Sequence, residues 1–288
     1  MGLRQAVSTL TSTPMQTVTY AIGDVHGRID LLDELLEQIE ADALGRGARA
    51  KIVFTGDYVD RGPDSFAVVE RLISGPRRGE DEFVCLRGNH DELFILAATG
   101  LAELPAWAQR LHEHALASYG LAPDSPSDQR SEFHRHVSFL AALPLTHDDG
   151  THLFVHAGIR PNVPLDQQAE RDLMWIRQEF MDYRGALPRR VVHGHTIVGD
   201  DAVVTPNRIS IDTGAYRSGI LTAAVLDGGA PRFLVTSGAP DKAAIVREAM
   251  IVALVRGHPL SARIRTAFDD FLAGLIGAED MMGIVEGR

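Results

Sequence analysis

The sequence predicts an α/β fold built in layers. Three observations lead there: short β-rich runs alternate with amphipathic stretches from Thr17 onward, each early run ends in a polar turn containing glycine, and strand-like runs return as a cluster after a long helical insertion. Residues 18–22 form the first strand candidate, and Leu31, Leu32, Leu35, Leu36 and Ile39 recur at helical spacing over 30–39. Residues 51–55 read as a second strand, 65–73 as a second helix, and 83–86 as a third strand leading into a helix from about Glu92. The turns after the strands are Gly23-Asp24-Val25-His26-Gly27, Gly56-Asp57-Tyr58-Val59-Asp60-Arg61-Gly62 and Gly88-Asn89-His90-Asp91. In open α/β sheets the ligand crevice lies outside the carboxyl ends of the strands, so these three turns are expected to meet at one site.

Residues 101–143 read as a helical insertion, interrupted near Pro123 to Ser127, that walls the site. Strand-like runs at 152–155, 190–192, 208–211, 219–226 and 232–236 suggest a second sheet. From Asp241 the apolar residues Ile245, Ala249, Val252 and Val255, then Ile264, Ala267, Phe268 and Phe271, mark two helices broken at Gly257-His258-Pro259. The expected organisation is a flexible segment 1–16, an α/β unit 17–236 carrying the insertion, and a helical extension 237–288.

A length of 288 residues suits one large domain or two modest ones and can bury a core without disulfides. Lys and Arg number 28 against 39 Asp and Glu, a formal net charge of -11, which argues against a broad basic face for nucleic acid. A phosphate-bearing substrate therefore needs a local positive site. The single cysteine, Cys85, lies in an apolar run and fits a small core residue in a reducing compartment. No apolar stretch approaches the roughly 18 residues of a spanning helix, and the first 16 residues lack a hydrophobic signal core, so a cytoplasmic protein with no membrane partner is expected.

Asp24 and His26 are two apart on an extended segment, so both side chains can face one way and offer a carboxylate and an imidazole to a metal. Asp57 follows the second strand and Asn89-His90 the third, while His156 and His195 each follow a later strand-like run. This mix of oxygen and nitrogen ligands without cysteine suits two divalent ions of the manganese, iron or zinc kind better than calcium or structural zinc. Taken alone, an Asp-Val-His or a His-Ala-Gly is ordinary turn chemistry. The ordered set of three turns plus two histidine turns is not.

These turns, with Trp175-Ile176-Arg177 and Ile211-Asp212-Thr213-Gly214-Ala215, resemble the metal-dependent phosphoprotein phosphatases among the calcineurin-like metallophosphoesterases, in particular the bacterial and phage serine/threonine phosphatases. The likeness runs from about Tyr20 to Leu226. It implies a four-layer α-β-β-α sandwich with two mixed sheets, the helical insertion and C-terminal helices lying outside them. It also implies that Asp24 and His26 bind the first metal, that Asp57 bridges both, and that Asn89, His156 and His195 bind the second. Arg61 and Arg177 would then hold the substrate phosphate together with Asn89, supplying the positive field that the net charge lacks. Two ions roughly 3.5–4 Å apart would activate a bridging water and clamp the phosphoryl oxygens. His90, oriented by Asp60, would protonate the leaving alkoxide.

Two departures from the family pattern stand out. Asp91 replaces the Glu that eukaryotic members carry after Asn-His, and is expected to tune geometry; His193 precedes the last histidine turn and is expected to pack structurally. His112, His114, His134 and His136 lie in helical stretches, where residues two apart point to different faces, and are expected to be solvated or packed. The leading reading is a phosphomonoesterase acting on phosphoserine or phosphothreonine in proteins, peptides or small esters. Its alternative is a dinucleoside polyphosphate hydrolase, diadenosine tetraphosphate being the type substrate; that family usually carries Ala before Arg-Gly in the second turn, so Asp60 favours the monoesterase. A non-catalytic phosphate-binding scaffold stands third. The oligomeric state is left open by the sequence.

Overall fold

The computed structural model describes residues 15–100, 104, 106–122, 125–126, 130–255 and 260–286. The chain begins with β1 (Thr17–Ile22), α1 (Ile29–Gly45), β2 (Arg49–Phe54), α2 (Ser65–Ile73), β3 (Glu82–Cys85) and α3 (Asn89–Thr99). The insertion supplies α4 (Ala106–Ala117) and α5 (Ser131–Ala141). There follow β4 (Thr146–Asp148), β5 (His152–Val155), α6 (Glu170–Trp175), α7 (Gln178–Met181), β6 (Arg190–His193), β7 (Val203–Val204) and β8 (Arg208–Ser210). The last elements are α8 (Ala215–Ser218), β9 (Thr222–Leu226), β10 (Arg232–Val235), α9 (Lys242–Val255), α10 (Ala262–Leu272) and α11 (Ala278–Val285). Residues 1–14 of the segment expected to be flexible, and the expected helix break at Gly257-His258-Pro259, lie outside the described residues.

Two mixed five-stranded sheets result, in the orders β10-β9-β1-β2-β3 and β4-β5-β6-β8-β7. β1, β2 and β3 are parallel, as are β5, β6 and β8, with antiparallel strands completing each sheet. The period-2 alternation of strand side chains builds the layers. Ala21, Val53 and Ala224 of the first sheet meet Phe154, Val192 and Ile209 of the second. Their neighbours Tyr20, Ile22, Ile52, Phe54 and Val225 point the other way, onto α1 and α2, whose Leu31, Leu32, Leu35, Val68 and Val69 share that core. On the far side, Leu153, Val155 and Val191 pack against Leu173, Ile176 and Phe180. The four layers implied by the resemblance are therefore present, with a thin outer layer of short helices on the second sheet.

Three expectations change. β9 and β10 belong to the first sheet, not the second: β9 pairs antiparallel with β1, and its five residues are all buried, as a strand covered on both faces requires. α3 starts at Asn89, not Glu92, because Asp91 reaches back to accept the Gly88 N–H at 2.9 Å and closes the first turn. The tail forms three helices, not two, around a core of its own that includes Ala249, Phe268, Phe271 and Met281. Strands β4 and β7, of three and two residues, are too short to show alternation in sequence. Among the described residues no helix is long and apolar enough to cross a membrane.

Candidate metal centre

The loops after β1, β2, β3, β5 and β6 converge where the two sheets face each other. Their backbones are unusual: His26, Asp57, Asp60, Arg61 and His195 all have φ between 46° and 70°, and only Asn162 shares this among the other described non-glycine residues. Left-handed conformations cost free energy in such residues and persist where the surroundings over-determine them. Glycine permits the close approaches. A Cβ on Gly194 would lie 1.9 Å from Asp24 Oδ1, and one on Gly88 2.2 Å from Asp57 Oδ1.

Each imidazole is aimed by a bond on its far side. His26 Nδ1 donates to the Val59 carbonyl at 2.8 Å, and His156 Nδ1 to that of Thr55 at 2.9 Å, which leaves each Nε2 a bare lone pair. His26 Nε2 then faces Asp57 Oδ2 at 3.4 Å, and His156 Nε2 faces Asp57 Oδ1 at the same distance. One carboxylate thus serves two nests of ligands, one oxygen to each. His156 Nε2 also meets Asn89 Oδ1 at 2.9 Å, acceptor against acceptor as the amide is placed, and the buried His195 Nε2 has no hydrogen-bond partner. Lone pairs converging with no proton between them are what a cation site needs. His26, Asp57 and His90 form one cluster with ligand atoms within 4.8 Å of one another; Asp57, His156 and His195 form a second. Asp24 joins through its carboxylate, which accepts the His195 N–H at 3.0 Å.

Electrostatics agree with this geometry. Burial pushes the Asp57 carboxyl up to about 8, and Asp24 is held well above the usual carboxylate range by burial and by Asp212 and Asp57 beside it. Burial lowers His156 to about 4 and holds His26 and His195 well below the usual imidazole range. Acids kept protonated and imidazoles kept neutral are the state that a dication reverses and exploits, respectively.

His90 sits at the N-terminus of α3, its N–H bonded to Asp57 Oδ1 at 2.9 Å. Its Nδ1 lies 2.8 Å from Asp60 Oδ2 and its Nε2 3.3 Å from Arg61 Nη2. Arg61 stacks over Tyr216 at 4.6 Å and pairs with Glu248 of α9 at 3.0 Å. Arg177 is tied to the last histidine turn, donating to the His195 carbonyl at 3.2 Å. All the predicted site residues are brought together: Asp24, His26, Asp57, Arg61, Asn89, His90, Arg177 and His195 line a cavity of about 170 Å³, with His156 beneath and Asp60 behind His90.

Asp91 turns away from the cleft, accepting the N–H groups of Asp57, Tyr58 and Gly88, and so fixes the second loop. His193 is spent on the Gly194 carbonyl and Ser210 Oγ. His136 is buried between Tyr119 and Glu70, and the Glu70, Glu132 and His136 cluster is spanned by Arg135. Three residues of the site were not singled out in the sequence. Asp212, quoted only as part of a run, lines the cavity, and its position after β8 was the available signal; Tyr216 and Glu248 carried none.

Two facing sheets with carboxylate and histidine loops at their strand ends define a metallohydrolase site. The chain belongs to the calcineurin-like phosphoesterase family, whose model matches residues 18–220, and members of that family use a dinuclear divalent metal centre. A protein of Janthinobacterium sp. (strain Marseille) named bis(5'-nucleosyl)-tetraphosphatase, symmetrical, is 34% identical over 143 residues, 50% of this chain and 44% of its own length. One of the same name from Methylococcus capsulatus (strain ATCC 33009 / NCIMB 11132 / Bath) is 35% identical over 142 residues, 49% of this chain and 43% of its own. The chain thus spans less than half the length of these curated relatives. A solved structure described as that of a proposed diadenosine tetraphosphatase is 26% identical, with a TM-score of 0.54, over 78% of this chain and 99% of the other.

Proposed function

We propose that the chain is a metal-dependent hydrolase of dinucleoside polyphosphates. The observation that carries this reading is the agreement of sequence relatives and a solved structure on one substrate class, for a chain whose buried histidines and carboxylates form clusters that could hold metal ions. The sequence alone favoured phosphoserine and phosphothreonine. That preference rested on the resemblance to the bacterial and phage phosphatases, carried by Asp60-Arg61 and Trp175-Ile176-Arg177, and the named relatives weigh more than those motifs.

In this reading Asp24, His26 and Asp57 hold one divalent ion, and Asp57, Asn89, His156 and His195 the other. Manganese suits the mixed oxygen and nitrogen set, with iron or zinc as substitutes. When bound, the ions supply positive charge to the phosphoryl oxygens and lower the pKa of a water held there. The chain's own groups do the rest. Arg61 and Arg177 face the cleft and orient the phosphate, Arg61 through its planar fork. Water adds to phosphorus, the bridging P–O bond breaks, and the proton that the water gives up reaches the leaving oxygen by way of His90 Nε2. Nδ1 donates to Asp60 and Arg61 Nη2 donates to Nε2, and burial, Arg61 and His156 hold His90 well below the usual imidazole range. The ring therefore rests neutral, and Nε2 carries its proton only during turnover, when Asp60 offsets the charge of the imidazolium. Residues 17–236 carry these groups, and α9 of the extension 237–288 contributes Glu248.

The same His90–Asp60 pair favours a second reading. An alkoxide needs a proton more than a nucleotide phosphate does, so a phosphoserine or phosphothreonine esterase would use this pair most. Purified protein loaded with manganese should cleave diadenosine tetraphosphate with a higher kcat/KM than a phosphoserine peptide. A strong preference for the peptide would replace the first reading with the second.

A further inference from the structure

Beside the metal centre lies a second and larger cavity, of about 410 Å³, between α4 of the insertion and α9 of the tail. It adjoins the centre, and Arg61, His90 and Glu248 line both. Its walls combine the aliphatic side chains of Ala244, Ile251 and Val252 with the guanidinium groups of Arg110 and Arg247 and the carboxylate of Glu113. Two bonds fasten these walls to the second catalytic loop. Arg247 Nη2 donates to the Arg61 carbonyl at 2.5 Å, and His114 Nε2 faces that of Gly62 at 3.2 Å.

The geometry points to a nucleoside subsite, built by α4 and α9, for the arm of the substrate that extends away from the metal centre. This deepens the dinucleotide reading and rests on it. The volume falls within the range of small-ligand pockets, which pair an apolar surface with a few polar groups that fix orientation. A planar heterocycle fits between aliphatic side chains and a guanidinium plane, which stacks on aromatic faces. Glu113 can accept from ribose hydroxyls or an exocyclic amine. Three guanidinium groups are available to phosphate: Arg61 lines both cavities, and Arg247 and Arg110 line the larger one. Neither α4 nor α9 carries a predicted metal ligand, so the subsite is a feature of the insertion and the tail.

Calorimetric binding of ADP and of inorganic phosphate to the metal-loaded full chain tests this without turnover. ADP should bind at least about tenfold more tightly than phosphate, and Ile251→Trp, which fills the cavity, should weaken ADP at least about tenfold more than phosphate. Arg110→Ala, at an exposed position on α4, should narrow the same ratio and guards against misfolding of the first variant; thermal melts check both. Equal affinity for ADP and phosphate in the unmodified chain, or a ratio unmoved by both folded variants, overturns the subsite. Failure to cleave diadenosine tetraphosphate would overturn the functional reading separately, since ADP binding needs no catalysis.

Discussion

At the scale of single residues, the group with the sharpest consequence is Asp60. Burial pushes its carboxyl up to about 7, its Oδ2 meets His90 Nδ1 at 2.8 Å, and its Oδ1 is buried with no hydrogen-bond partner. Its hydrogen bond is to the imidazole, while His112, Arg61 and His114 act on it through charge. Asp60→Asn keeps the shape and removes the charge that stabilises the imidazolium, so kcat should fall about 10–100-fold. The fall should be larger for a phosphoserine peptide than for an aryl phosphate, because only the former leaves as a strongly basic oxygen. Equal losses on both substrates would show that Asp60 merely holds the loop. This pair was legible in the sequence because both partners sit in glycine-bounded turns after adjacent parallel strands. Asp212 was only half legible: it follows β8, but an Asp-Thr-Gly run is also an ordinary turn, and its contact with Asp24 depends on one sheet facing the other. No spacing links Glu248 to Arg61, 187 positions apart.

Among the elements, α9 changes the picture most. The sequence marks it as a helix of the tail, yet it packs against α4 and α8 and brings Glu248 to Arg61, which lines the metal-centre cavity. Tyr216, from α8, holds the other carboxylate oxygen. A substrate phosphate that takes both guanidinium arms must displace this carboxylate. Part-exposed pairs of this kind are worth about 0.2–1 kcal/mol, so Glu248→Gln should lower the inhibition constant of inorganic phosphate by up to about fivefold. A weaker inhibition by phosphate in the variant would mean that Glu248 presents Arg61 to the substrate and does not compete with it. Other elements show where sequence patterns stop. Helix α2 was read with its observed bounds, since Asp64 caps it by accepting the Ala67 N–H and its apolar stripe is complete. The sheet of β9 was misassigned: a run of small apolar residues reports that both faces are covered, and not by which partner.

For the molecule as a whole, a surface of net charge -11 encloses a cleft whose buried histidines and carboxylates set stability in opposite senses. A carboxyl whose folded pKa is raised, such as Asp57 at about 8, supports the metal-free fold while protonated. That contribution is complete below the unfolded value near ~4 and is lost as pH rises through about 8. A histidine whose folded pKa is lowered, such as His156 at about 4, is protonated more readily in the unfolded chain, so the fold loses stability as pH falls below about 6.5. Divalent ions bind the deprotonated form of both kinds of group. They therefore offset the alkaline loss and must compete with protons on the acid side. With manganese at roughly 100 times its Kd, linkage supplies about 2.7 kcal/mol, which should raise Tm by about 5 °C at pH 8. At pH 5.5 the rise should be much smaller, because Asp57 is then protonated in the metal-free fold and the ion must displace that proton to bind. Equal rises at the two pH values, measured by calorimetry on one preparation stripped of metal and then reloaded, would place the stabilising ions somewhere other than this buried cluster.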